Sequence, residues 1–131
     1  MGIVSIDLGT TNVKVAVYNN ALEQLSLVSR KINYLSSGEI VEFNAEAYFN
    51  LVIELICQGC EIAFSSDIPD IDQIVLTGQA ESLVAIDKNG IPVRNAISWL
   101  DSRSKEECRE LSEVFDPERC YLATGQPQII P

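Results

Sequence analysis

The sequence predicts an α/β domain with a mixed sheet, whose first three strands form an antiparallel meander flanked by helices. Three observations carry this expectation. Runs rich in β-branched residues at 2–7, 13–19 and 25–33 read as consecutive strands. Over 45–64, Tyr48, Phe49, Val52, Ile53, Leu55 and Ile56 recur at helical spacing. The short apolar run 73–77, QIVLT, ends at Gly78 and reads as a buried strand.

The elements follow in order. Residues 8–12, LGTTN, turn the first strand into the second. "SSGEIVEFN" at 36–44 reads as a loop, with Asn44 as N-cap of the long helix, whose outward face carries Glu46 and Glu54. "SSDIPDID" at 65–72 is turn-forming and leads into the fourth strand. Residues 83–87 and 96–99 suggest two short strands joined around the KNG turn as a hairpin. Residues 104–115 read as a charged surface helix, capped by Ser102 or Ser104. No internal repeat stands out. This arrangement is consistent with a ribonuclease H-like domain.

With 131 residues, 47% of them apolar, the chain suffices for one compact domain. Nine basic against nineteen acidic residues give a net charge of −10, which repels nucleic-acid phosphates and anionic lipid heads. A phosphorylated ligand must then be captured by local chemistry. No stretch reaches the roughly 18 apolar residues that a membrane helix needs, and no signal segment opens the chain, so a cytoplasmic location and no membrane partner are expected. Cys57 and Cys60 have CxxC spacing, but they sit in an apolar periodic run. Cys108 and Cys120 add no second ligand pair, so packing is the simpler role. Histidine is absent, which excludes His-based catalysis.

The stretch SIDLGTTNVKVAVYN places an acid, a glycine, two threonines and a lysine around the first turn. Gly9 permits close backbone approach, Thr10, Thr11 and Asn12 supply donors, and Lys14 supplies charge. Asp7, at the strand end, can hold Mg²⁺ directly or through water, since that ion takes one or two carboxylates plus waters and phosphate oxygens. The loop is not a P-loop, because it lacks GxxxxGK[ST] and leads into a strand. The competing reading is an ordinary hairpin in which these side chains cap backbone groups.

IDLGTTNVKVAVYN resembles the first phosphate motif of the actin, Hsp70 and sugar kinase superfamily. VLTGQAESLVAIDKNGIPVRNAISWLDSRS resembles the N-terminal domain of the FGGY carbohydrate kinases. The motifs stand in the family's order, and LATGQPQIIP is similar to its TG-x-P segment. The resemblance implies an actin-like ATPase fold and transfer of the γ-phosphoryl group of ATP, with Mg²⁺, to a hydroxyl of a sugar or polyol. It places Asp7 toward the metal, Thr10, Thr11 and Asn12 near the transferring group, and Lys14 as its counter-charge. Gln79, Ala80, Glu81, Trp99, Asp101 and Arg103 would form the acceptor site, beside Ser82. Structural readings compete here too: Trp99 as core filler, Asp101 with Arg103 as an ion pair, Gln79 bonding backbone only.

The pair Ala80-Glu81 departs from the Met-His usual in xylulose kinases and the Arg-Glu usual in glycerol kinases. Ketoses, polyols and related acceptors stay open, with a xylulose-like sugar favoured. The family's base aspartate and its adenosine-binding domain lie beyond Pro131, so residues 1–131 are expected to be the N-terminal part of the first domain. As a fragment the chain is expected to be inactive and to self-associate through uncovered apolar surface. Alternatives are a non-catalytic sugar- or phosphate-binding or regulatory module, and a two-metal nuclease, which the acidic surface opposes.

Overall fold

The computed structural model describes residues 2–64 and 70–126. Part of the turn expected at 65–72 and the end of LATGQPQIIP therefore lie outside the described residues. The main sheet has four strands: β1 (Gly2–Leu8), β2 (Asn12–Asn19), β3 (Gln24–Lys31) and β6 (Ile71–Gly78), in the order β3-β2-β1-β6. β1 pairs antiparallel with β2, and β2 with β3, as the meander predicted; β6 runs parallel to β1, but the strand expected to be buried at 73–77 is exposed, since it is an edge strand that no described helix covers.

Alternation decides which side of the sheet is inside. In β1, Val4 and Ile6 are buried while Ile3 and Ser5 are only half-buried. In β2, Val13, Val15 and Val17 share the buried face. Helix α1 (Ala45–Phe64) lies on that face with Leu55, Gly59 and Ala63 buried. Gly59 sits in close contact with β2 and β3, where a Cβ would stand 3.5 Å from Val15 and 3.6 Å from Ser26 and Val28. The buried Ser26 hydroxyl donates to the Gly59 carbonyl at 2.7 Å, satisfying the one polar group that β3 brings into this contact. As predicted, Asn44 caps the helix, its Oδ1 accepting from the Ala47 N–H at 2.8 Å.

By length and composition α1 is apolar enough to cross a bilayer. The sequence reading passes over it because Glu46, Asn50, Glu54, Gln58 and Glu61 interrupt its apolar positions. Here it is a core helix, and Glu54 pairs with Arg30 at 2.6 Å.

A second sheet corrects one expectation. "SSGEIVEFN" is not a loop but a hairpin, β4 (Leu35–Ser37) and β5 (Ile40–Phe43), turning at Gly38 with φ +61°. The strand β7 (Ala96–Ile97) pairs with β5, giving the order β4-β5-β7. The expected hairpin of residues 83–99 survives only as isolated bridges, Leu83 with Ile97 and Ile86 with Pro92. α2 (Lys105–Val114) forms where expected, but the Ser104 side chain makes no capping bond. α3 (Pro117–Thr124) was not foreseen, although Asp116 caps it, Pro117 opens it and Gly125 closes it at φ +76°.

Candidate functional site

The site lies at the carboxyl ends of β1 and β6, where ligands of α/β sheets commonly sit. Parallel register places Leu8 opposite Gly78, and the Gln79 N–H donates to the Leu8 carbonyl at 2.9 Å. The loop after β1 and the loop after β6 therefore leave the sheet side by side. Gly78 makes this possible: a Cβ there would come within 2.5 Å of the Leu8 Cβ and 2.9 Å of its carbonyl oxygen.

In the first loop Asp7 and Lys14 are cross-strand partners joined by a 3.2 Å ion pair, both partly open to solvent. At Gly9 a Cβ would meet the Asn12 carbonyl at 2.9 Å and the Asp7 carboxylate oxygens at about 3.5 Å, so the missing side chain leaves room directly beside the acid. One carboxylate next to an open cradle suits an ion that keeps waters and shares phosphate oxygens. No group of three or more metal-ligating side chains exists among the described residues, so no all-protein cage is built there.

Trp99 closes on this loop. Its indole Nε1–H donates to Thr10 Oγ1 at 3.0 Å, which leaves the Thr10 hydroxyl proton available to a ligand. The Trp99 backbone N–H donates to Ser82 Oγ at 3.2 Å. Thr11 is exposed and fixed through its carbonyl, which accepts from Ile32 N–H at 3.0 Å. Asn12 begins β2 and is half-buried.

A cavity of about 470 Å³ lies against this junction, lined by Glu81, Leu83, Ile97, Ser98, Trp99, Asp101, Arg103 and Ser104. Four of the six expected acceptor residues thus share one wall. Two do not: Ala80 is exposed outside the lining, and the Gln79 side chain turns toward Tyr34 and Ser82. Glu81 sits at φ +67°, a left-handed conformation that costs an L residue about 1–2 kcal/mol, and its carboxylate accepts from Gln126 Nε2 at 3.0 Å. A second cavity of about 380 Å³, between Lys31–Leu35 and the start of α1, is lined by none of the motif residues.

Asp101 and Arg103 form an ion pair that also anchors the cavity wall. Arg103 donates through Nε at 2.8 Å and Nη2 at 2.6 Å to the two carboxylate oxygens, and from Nη2 to Glu42 at 2.7 Å. Asp101 is buried and also accepts from the Val41 N–H at 2.7 Å, tying the loop before α2 to β5. Hydrogen bonding from Arg103 holds the Asp101 carboxyl well below its ordinary range, and the same guanidinium lowers Glu42; both carboxylates raise Arg103. Arg94 and Asn95 complete the shell around Glu42. Nη1 of Arg103 keeps its hydrogens unpaired among the described residues.

Sequence reasoning missed Glu42, placed in a segment read as loop, and Tyr34, whose hydroxyl donates to the Thr10 carbonyl at 2.9 Å. Neither stands in a recognisable motif: the β4–β5 hairpin brings Glu42 to the site, and the pairing of β2 with β3, continued by the Ile32 N–H to the Thr11 carbonyl, brings Tyr34 beside Thr10.

Comparison with known proteins identifies the family and the fold. The model of the N-terminal domain of the FGGY family of carbohydrate kinases matches residues 2–130. A glycerol kinase of Bacillus licheniformis is 34% identical over 125 residues, covering 94% of this chain and 25% of that protein. A xylulose kinase of Staphylococcus epidermidis is 28% identical over 116 residues, covering 86% of this chain and 23% of its own length. The chain spans about a quarter of the length of these relatives. Among solved structures, a gluconate kinase from Lactobacillus acidophilus superposes with a TM-score of 0.81 at 22% identity, over 95% of this chain and 25% of that one. The ADP-bound glycerol kinase of Plasmodium falciparum gives 0.80 at 23% identity, over 92% and 24%. At that identity the structures speak for the fold, which is the actin-like ATPase fold of the sugar kinases. The family match over nearly the whole chain settles membership: the chain belongs to the FGGY family of carbohydrate kinases, through their N-terminal domain.

Proposed function

We propose that this chain supplies the phosphate loop and the acceptor wall of an ATP-dependent kinase that phosphorylates a hydroxyl of a ketose or polyol. The observation that carries the reading is the junction of the two loops. Thr10 of the phosphate loop and Trp99 of the acceptor wall are hydrogen-bonded at 3.0 Å, so a donor phosphate and an acceptor hydroxyl would meet across one contact. Phosphoryl transfer depends chiefly on such positioning and on charge stabilisation.

Asp7 would hold Mg²⁺ with phosphate oxygens and water, and the metal would draw off charge from the transferring group. Lys14, now paired with Asp7, would share that role, and the donors of Thr10, Thr11 and Asn12 would orient the phosphate. In the cavity, Glu81 would accept from acceptor hydroxyls, Trp99 would cover a C–H face, and Arg103 would donate from Nη1. Asp101 acts through Arg103, and Gln79 through the loop it braces.

A xylulose-like sugar is the first acceptor to try. Relatives named for xylulose and for glycerol match at comparable identity, and the Ala80-Glu81 pair fits neither usual pattern, so glycerol and gluconate belong in the same panel. The catalytic base, the adenosine site and a cytoplasmic location are assigned to the whole protein by family analogy. This chain alone would then be inactive. An exposed β6, with Ile74 65% and Leu76 63% open, would be covered in the whole protein or by self-association. A coupled ADP-release assay with MgATP and the panel, run on this chain beside the full-length gene product, tests the reading. Acceptor-dependent ADP release by the full-length protein alone is the expected result; none from either points to a non-catalytic sugar-binding module.

A further inference from the structure

Five residues from four separate segments close a ring of hydrogen bonds through the site. Tyr34 Oη donates to the Thr10 carbonyl at 2.9 Å and lies 3.4 Å from Gln79 Oε1; Ser82 Oγ lies 3.3 Å from the same amide oxygen. Ser82 Oγ accepts from the Trp99 backbone N–H at 3.2 Å, and the Trp99 indole returns to Thr10 at 3.0 Å. A phenol has one proton, and the shorter contact to Thr10 takes it. Turning the amide, which exchanges its O and N positions, lets the Gln79 NH₂ donate to the Tyr34 oxygen and to Ser82 Oγ. The buried Tyr48 hydroxyl, without a hydrogen-bond partner of good geometry, lies near this same amide. Gln79 is therefore a node inside the fold and not a lining residue of the cavity.

The ring touches the phosphate loop at Thr10 twice, once at its carbonyl and once at its hydroxyl oxygen. It touches the acceptor side through Ser82 and Trp99. Tyr34 is also held by a contact outside the ring: its aromatic ring packs edge-on against Phe43, centroids 5.9 Å apart at 88°. The two loops share these contacts, short at Thr10 (2.9 and 3.0 Å) and longer through Ser82 and Gln79 (3.2–3.4 Å), so a displacement of Trp99 is felt directly at Thr10 and one of Ser82 through Gln79 and Tyr34.

Resting on the kinase reading, we propose that Tyr34 is a positioning residue that couples the acceptor wall to the phosphate loop, so that acceptor binding raises the affinity for the phosphate donor. The coupling is reciprocal, as linkage requires. Tyr34 touches neither ligand. It acts by fixing Thr10 and, through Gln79, the start of the acceptor loop.

The test is calorimetric titration of the full-length gene product with MgADP, with and without a saturating acceptor from the xylulose, glycerol and gluconate panel. Tyr34→Phe keeps the ring packing and removes only the hydroxyl. It is expected to cut the acceptor-dependent gain in MgADP affinity about three- to tenfold, the worth of one such hydrogen bond. Ser82→Ala, which breaks the ring at another node, is expected to do the same and serves if Tyr34→Phe does not fold. A folded variant with the wild-type gain overturns the proposal, as does a wild-type protein in which acceptor and MgADP bind without affecting one another. Wild-type protein that binds neither ligand refutes the kinase reading itself, and the coupling falls with it.

Discussion

Replacing Glu81 by glycine and by alanine should give an order of stability opposite to the usual one. Both changes remove the carboxylate and its bond from Gln126 at 3.0 Å, so the difference between them isolates the backbone. At φ +67° the alanine Cβ crowds the following carbonyl, a cost of about 1–2 kcal/mol that glycine does not bear. Glycine gives back about 0.5–1 kcal/mol through its freer unfolded chain. The net expectation is that Glu81→Gly is more stable than Glu81→Ala, by up to about 1.5 kcal/mol, at most a few degrees in Tm for a domain of this size. Urea unfolding followed by circular dichroism measures it. The same pair of substitutions at Glu107, in the first turn of α2, provides the reference in which alanine wins. Alanine equal to or better than glycine at position 81 would refute the strain argument. If the order holds, the native glutamate is kept at a cost in stability, which fits a side chain retained for the acceptor cavity it lines.

Three further outcomes follow from the same contacts. Gly78→Ala puts a Cβ 2.5 Å from the Leu8 side chain and should cost about 1–3 kcal/mol, read as a lowered urea midpoint; an unchanged midpoint contradicts the β1–β6 register. Asp101 and Glu42 are both held below their ordinary range by Arg103, so the stability they add is complete above the ordinary carboxylate pKa of about 4 and drains away as pH falls through their depressed folded values. Asp101→Asn should therefore flatten the loss of stability below about pH 4 while leaving the slope between pH 5 and 7 unchanged; an unaltered acid limb argues against the pair. The chain has one tryptophan, so Thr10→Val, which removes the acceptor of its indole N–H, should shift intrinsic emission; an identical spectrum denies the Thr10–Trp99 contact.

Long-range pairing marks the boundary of what the sequence discloses. α1 is legible because its apolar spacing is regular over many turns and Asn44 announces its start. β1, β2 and β6 are legible because β-branched runs with turns between them admit few other readings. β4 and β5 are not, because strands of three and four residues carry almost no pattern, and β5 is fixed by pairing Glu42 with Ile97, far along the chain. For α3 the signals were present in Asp116-Pro117 and Gly125, but its polar sequence buries nothing and shows no apolar stripe.

The same boundary runs through the site. Asp7, Gly9 and the loop threonines stand together in the sequence, so their proximity needs no fold to be seen. That Trp99 reaches Thr10 needs the tertiary structure, as does the turning of Gln79 away from the cavity toward Tyr34. The reading of Asp101 with Arg103 as an ion pair holds: Arg103 is paired to Asp101 and to Glu42, and both Asp101 and Arg103 line the cavity.

The most direct measurement is phosphorus NMR of the full-length gene product mixed with MgATP and each acceptor in turn. Transfer to a sugar or polyol hydroxyl predicts a new phosphomonoester resonance that grows as the γ-phosphate signal of ATP declines, with one acceptor class preferred. Inorganic phosphate as the only product, or an ATP spectrum that never changes with any acceptor, would contradict the assignment of a kinase site to these two loops.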